Sequence, residues 1–489
     1  MEKAIYSFIT VPAVAAIFLP FAAKLKPRLA ETVSVLTLLA GIFNLSMLLF
    51  SFYTADSSQI PSDCLIIFLT GIIYLFALCF AMYSSAELET GRNGREYFFS
   101  LLLISVSLFC GAAAAENFFT LYLCIESLCL SSAVMIAISR NGTAGITAAS
   151  DWLFLTAPSS FLCICGLSLL FLFLGSLSFD SLQQISLSGD PFGPILFAAS
   201  LLILGFVLKA AIFFMPQERS KDFRTDLPVA GHLALNIARL GIMYAVFRAA
   251  LLLRFSYGNA QGLSLFLMIL GAAVMAAGAV ASFQAHDLKK MACFTNFSSS
   301  GLFLVMTGAS TPLAVISALL IILSNSFETM LMLICGGITE RKKTRLMSLF
   351  SSQGAVLALF GGLSQSGMPP FAGFWVRLLA AIALFDADRP VLACIVIFSE
   401  IFILSAMLKQ RRKLFSDNKH IQNSEDSSSP KGEPVDRKKE FLLDPLGGNG
   451  EKWLRLFPAW VSAAMLVVSG IMFPFIYLYL HITAGRLFL

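Results

Sequence analysis

AIYSFITVPAVAAIFLPFAA, residues 4–23, sets a unit that the chain then repeats: a mostly apolar block of about 20 residues, closed by a short polar stretch. Coiled as a helix, such a block crosses about 30 Å of hydrocarbon. In lipid the backbone must also satisfy its own hydrogen bonds, which leaves the helix as the conformation for a single block. Blocks fall at 4–23, 31–54, 63–84, 97–115, 117–138, 147–175, 192–215, 228–253, 259–284, 291–308, 312–336, 353–386, 389–408 and 456–481. With 57% hydrophobic and 13% charged residues, the chain is far from the roughly one-quarter charged composition of soluble domains. The expected fold class is all-α, a polytopic membrane protein of about 14 transmembrane helices, with the first block a retained helix rather than a signal peptide.

Basic residues orient these spans, because Lys and Arg stay on the cytoplasmic side. KLKPR (24–28), GRNGR (91–95), ERSKDFR (218–224), DLKK (287–290), ERKKTR (340–345) and KQRRK (409–413) occupy every second loop. The loops between them, such as ADSSQIPSD (55–63) and SLSFDSLQQISLSGD (176–190), carry no Lys or Arg. The expected location is the cell inner membrane, multi-pass, with both termini on the non-cytoplasmic side. The polar segment 409–452, with SEDSSSPKGEPVDRKKE inside it, reads as a cytoplasmic linker that either tethers the last span or docks a partner.

Several chemistries have no footing here. Most of the ten cysteines lie inside apolar runs as small hydrophobes, there is no CxxC, and the chain has four histidines, so no metal or iron–sulfur site is expected. No GxGxxG or GxxxxGK[ST] occurs, and no cofactor and no nucleic-acid partner are expected.

Removing the loops leaves a short set of charges at membrane depth: Glu126, Lys209, Arg239, Arg377 and Glu400, with His232, Asn236, Asn296, Asn325 and Glu328 as polar company. Buried charges face the bundle interior and pair with one another. Glu126 and Lys209 form the natural couple. Attraction favours both charged forms and burial favours both neutral ones, so the pair is either a poised proton switch or a static structural ion pair. His232, Asn236 and Arg239 recur at i, i+4 and i+7 on one helix face, as packing groups or as a hydrated polar track.

Block 353–386 is too long for one straight crossing at about 1.5 Å per residue. It carries GGLSQSGMPPFAG (361–373), and Pro-Pro breaks a helix, so two half-helices are expected with Arg377 beyond the break. Pro216, seven residues after Lys209, predicts a second interruption at the end of span seven. Broken helices five spans apart run in opposite directions, the sequence sign of inverted repeats around an ion path. The expected division is 1–96 for spans 1–3, 97–253 for a first five-helix repeat, 259–408 for a second inverted one, 409–452 for the linker and 453–489 for the last span.

Five motifs in order resemble one family: ENFFTLYLCIESLCLS (116–131), LGFVLKAAIFFMP (204–216), LPVAGHLALNIARLGIMYAVFR (227–248), DLKKMACFTNFSSSGLFLVMTG (287–308) and LSQSGMPPFAGFWVR (363–377). The chain is similar, over roughly 1–408, to the antiporter-like proton-translocating membrane subunits of respiratory complex I, membrane-bound hydrogenases and multisubunit sodium/proton antiporters. The resemblance places Glu126 on the family's essential glutamate and Lys209 on its seventh-span lysine. Arg239 and Arg377 stand where lysines are usual, Ser299 at the tenth-span histidine and Thr329 at the eleventh-span lysine. It implies a proton-translocating subunit of a complex I-like NADH:quinone oxidoreductase or a hydrogenase, with no redox site on this chain. The switch would be Glu126 and Lys209, with Arg239 and Arg377 as charged centres. His232, Asn236, Asn296, Ser299, Asn325, Glu328 and Glu400 would relay protons. The implied partners are other membrane subunits, protons or sodium ions, and lipid. A sodium/proton antiporter subunit and a non-pumping structural subunit are the alternative readings. Arginine keeps its proton, so Arg239 and Arg377 would act by fixed charge where lysine carries.

Overall fold

A computed structural model of the chain describes residues 2–25, 29–54, 64–88, 94–140, 142–181, 192–214, 227–256, 261–309, 311–340, 346–427 and 449–488. These residues are helical almost throughout, and the one β feature among them is an isolated bridge between Asn117 and Ser178. The helices are α1 (Glu2–Leu25), α2 (Leu29–Thr54), α3 (Cys64–Glu87), α4 (Arg95–Ala113), α5 (Phe118–Ser139), α6 (Thr143–Leu174), α7 (Phe192–Phe214) and α8 (Val229–Ser256). They continue with α9 (Gln261–Gln284), α10 (Leu288–Ala309), α11 (Pro312–Glu340), α12 (Leu346–Gln365), α13 (Ala372–Asp386), α14 (Pro390–Ser427), α15 (Asn449–Ile471) and α16 (Phe473–Phe488). By length and composition 11 of the described helices can cross a membrane, and the bent pair α15–α16 makes up to 12, against the 14 expected. The short α12 and α13, and α10 with its Asn and Ser run, fall outside that group.

Two helices form the interior. The apolar stretch of α11 is buried along its whole length and that of α8 almost as completely, whereas α1, α2 and α6 show most of theirs to the outside. α8 packs on α5 and α7 and also on α10 and α11, so it joins the two halves of the bundle. In lipid no hydrophobic drive pulls helices together, and close approach depends on small side chains. The α9–α10 seam uses that device: a Cβ on Gly271 would lie 2.7 Å from the Gly301 carbonyl oxygen, and one on Gly278 2.5 Å from the Ser298 amide nitrogen.

The break between α12 and α13 has a readable cause. Gly367 sits at φ +69°, the Met368 amide donates to Leu363 O at 3.0 Å, and the Gly367 amide donates to Ser364 O at 3.0 Å. This paired 6→1 and 5→2 closure is the Schellman ending of a helix, followed here by Pro369 and Pro370. α15 lies against the break: Trp375 Nε1 donates to Gly470 O at 2.9 Å and its ring stacks on Phe473 at 4.2 Å. One residue later the chain turns by 71° into α16, so the single block expected at 456–481 is two helices. α14 runs on through Ser427 into the segment expected to be a linker. The interruption expected at Pro216 and the middle of that linker lie outside the described residues.

Polar ties hold the N-terminal spans to this frame. Glu87, the last residue of α3, accepts the Val229 and Ala230 amides at 3.3 and 2.7 Å and thereby caps α8. Arg455 of α15 donates to Ala86 O at 3.1 and 2.6 Å. Arg95 pairs with Glu31 at 2.7 Å and donates to Ser85 O at 2.7 Å. Although it belongs to a basic loop cluster, Arg95 is 4% exposed and works as a strut between helices.

Candidate functional site

Two clusters of buried charge lie on the helices that α8 joins. The first unites α5, α6 and α7. Lys209 Nζ donates to Glu126 Oε1 in a close ion pair and to Ser160 Oγ at 2.9 Å. The Ser160 hydroxyl donates in turn to Thr156 O at 3.2 Å, which leaves its lone pair for the ammonium. The partners are unevenly enclosed: the Lys209 side chain is 1% exposed and that of Glu126 28%. The lysine is sealed inside while the acid borders the bundle's surface. Nothing in the sequence alone singles out Ser160 beyond a weak signal, a Pro158-Ser159-Ser160 run inside an otherwise apolar helix.

The second cluster gathers α11, α12, α13 and α14 around Arg377. Its Nε lies 3.0 Å from Glu400 Oε2 and its Nη1 3.9 Å from Glu328 Oε1. Nη1 also donates to Gly373 O at 3.1 Å, while Ser364 Oγ donates to Glu328 Oε1 at 2.6 Å. Glu328 is 1% exposed, and its Oε2 is buried without a hydrogen-bond partner. The Schellman turn makes room for the guanidinium, since a Cβ on Gly367 would lie 2.8 Å from Arg377 Cδ. The sequence shows these three charges but not their grouping, because Glu328 and Glu400 sit on different helices from Arg377.

Between the clusters runs α8, with His232, Asn236 and Arg239 all buried along it. Asn236 has neither amide atom hydrogen-bonded, and on the neighbouring α10 the same holds for Asn296 Oδ1 and Ser299 Oγ. On α11, Thr329 Oγ1 lies 3.2 Å from Asn325 Oδ1, and Asn325 Nδ2 has no hydrogen-bond partner. Gln365, the last residue of α12, is fully buried with both amide atoms unbonded, and nothing in the sequence alone singles it out. Buried polar atoms left open in this way are the places ordered water occupies. The arrangement can therefore hold water along α8, α10 and α11, which pack on the helices that carry the two ion clusters. Among the described residues no group of His, Cys, Asp and Glu is placed to hold a metal ion.

The family described as "NADH:quinone oxidoreductase/Mrp antiporter, TM" matches residues 115–403, which include every residue named in both clusters. The NADH-quinone oxidoreductase subunit N of Desulforudis audaxviator is 25% identical over 348 residues, covering 68% of this chain and 67% of the relative. That of Nitrosomonas europaea is 26% identical over 331 residues, covering 65% and 67%. Among solved structures, a chain of the Mrp complex from a Dietzia species superimposes with TM-score 0.79 at 17% identity, over 100% of this chain and 97% of the other. A chain of respiratory complex I from Thermus thermophilus does so with TM-score 0.73 at 20% identity, over 99% and 98%. At these identities the superpositions speak for the fold.

Proposed function

The chain belongs to the NADH:quinone oxidoreductase/Mrp antiporter transmembrane family, and from that premise we propose that it is a proton-translocating membrane subunit of a redox-driven complex. The observation that carries this reading is the Glu126–Lys209 pair, its lysine sealed inside and its acid at the bundle's surface. Closed, Glu126 supplies the counter-charge that the enclosed Lys209 needs; opened, the ammonium is left without it, which favours passing its proton on. A movement that separates the two side chains thus becomes a proton displacement. Water held by Asn236, Asn296, Ser299, Asn325 and Gln365 would conduct it, with His232 and Arg239 on the same path and the Arg377 cluster at the far end. Electron transfer would take place on partner subunits, and the chain itself would bind no redox cofactor. The division into two inverted five-helix repeats, 97–253 and 259–408, and a non-cytoplasmic location of both termini belong to the same proposal.

The test is proton uptake by the reconstituted complex. Glu126→Gln and Lys209→Ala should each abolish uptake while the complex still assembles; uptake at the wild-type rate in either variant overturns the switch. A second reading, a subunit of a multisubunit sodium/proton antiporter, is favoured by the fold shared with the Mrp complex chain. Purification in mild detergent separates the two: co-purifying iron–sulfur or nickel subunits support the redox complex, and small membrane partners alone support the exchanger.

A further inference from the structure

The Arg377 cluster holds one more acid than base. Two carboxylates, Glu328 and Glu400, share a single guanidinium, and no other salt bridge among the described residues reaches the three. If both acids were ionised the cluster would bury an uncompensated negative charge, which proteins avoid by binding a proton. Arginine does not surrender its own, so the surplus proton belongs to the two acids. Geometry says where it rests. Glu400 Oε2 is 3.0 Å from Nε, in direct contact, whereas Glu328 Oε1 is 3.9 Å from Nη1 and instead accepts the Ser364 hydroxyl at 2.6 Å. Glu328 Oε2 and Glu400 Oε2 are both enclosed without a hydrogen bond, so each acid has an oxygen suited to the neutral form, and the nearer guanidinium makes Glu400 the better place for the negative charge.

We propose that Glu328 and Glu400 share one exchangeable proton and that Arg377 passes between them, always pairing with whichever acid is ionised. In the arrangement seen, Glu328 is the neutral acid and Glu400 the carboxylate paired with Arg377. In the alternative, the O–H bond on Glu328 breaks, the proton travels by water to Glu400, an O–H bond forms there, and the guanidinium shifts to the Glu328 carboxylate. Proton number and net charge are the same on both sides. Two acids that share a site and one proton titrate as a unit, so removing either one removes the proton held at neutral pH. The groups facing the exchange are Glu328 and Ser364 from α11 and α12, Arg377 from α13 and Glu400 from α14. In this way a span that carries arginine where a lysine is usual still moves a proton. In that role the exchange rests on the proton-path reading above; the shared proton itself does not.

Infrared spectroscopy of the full chain in lipid nanodiscs at neutral pH tests it through the carbonyl band of protonated carboxyl groups. The wild type should show a band sensitive to deuterium exchange that is lost in both Glu328→Gln and Glu400→Gln, since each variant leaves one acid for one guanidinium. Glu328→Asp and Glu400→Asp should retain it. Retention of the band in Glu400→Gln overturns the exchange, because the proton then belongs to Glu328 alone. Absence of the band from the wild type overturns the shared proton and needs no variant to fold. Glu126→Gln should keep the band, so a failure of the Glu126–Lys209 switch in uptake measurements is read separately from a failure here.

Discussion

Arg377 and Glu400 face each other across α13 and α14 with Nε 3.0 Å from Oε2, and the arginine is held there by a carbonyl of its own helix turn, Gly373 O at 3.1 Å. A cation this enclosed is expensive to leave unpaired. Arg377→Met would leave Glu400 without its counter-charge, and removal of one partner of a buried pair costs about 3–5 kcal/mol. The expected outcome is a lowered unfolding midpoint in denaturant titrations of the detergent-solubilised chain. Adding Glu400→Gln to that variant should recover part of the loss; no recovery would mean that the pair contributes little.

Gly367 separates two roles that a single substitution usually confounds. Gly367→Ala and Gly175→Ala both force an L-residue to a positive φ, +69° in each case, at about 1–2 kcal/mol each. A Cβ at Gly175 meets nothing within 4 Å, whereas one at Gly367 meets Arg377 Cδ at 2.8 Å. Both variants are expected to lose stability, Gly367→Ala the more because of that close contact, with proton uptake falling only in Gly367→Ala. Equal uptake in the two would detach Arg377 from transport.

Glu87→Ala should loosen the start of α8. It removes the acceptor of the Val229 and Ala230 amides, a loss of about 0.5–2 kcal/mol by analogy with helix caps. Hydrogen exchange is the measurement: residues 229–232 should exchange faster while the middle of α8 stays protected.

The α9–α10 seam offers a packing test. Gly278→Val places methyl groups where the Ser298 amide nitrogen already lies 2.5 Å from an added Cβ, and overpacking of this kind costs about 1–3 kcal/mol. A lower thermal midpoint is expected. Gly262→Val on the same helix, where a Cβ meets nothing within 4 Å, should leave it unchanged.

Much of this architecture was open to reading from the chain alone, because bilayer thickness imposes one length on every apolar block. Positions of helices and the break at Pro369-Pro370 follow from that rule and from proline chemistry. The contacts that group charges do not. Glu328 and Glu400 are 72 residues apart in the chain, and only the packing of α11 and α14 on α13 brings them to one guanidinium. Arg95 shows the limit of reading basic residues by side: its loop cluster fits the charge rule, yet its side chain serves Glu31 and Ser85. Ser160 and Ser364 were hidden for a different reason. Serine is common on helices where it merely bonds its own backbone, and what distinguishes these two is the charged group that folding sets beside them.

The 71° turn after Ile471 has a consequence for the outline of the molecule. A helix that crosses the bilayer with the usual tilt of about 20° hands its successor a direction nearer the membrane plane than the normal. The 16 residues of α16 span about 24 Å at helical rise. Leu480 is buried while Phe475 and Leu478 turn outward, and α16 packs on α11, so the bend folds this segment back against the innermost helix instead of carrying it away.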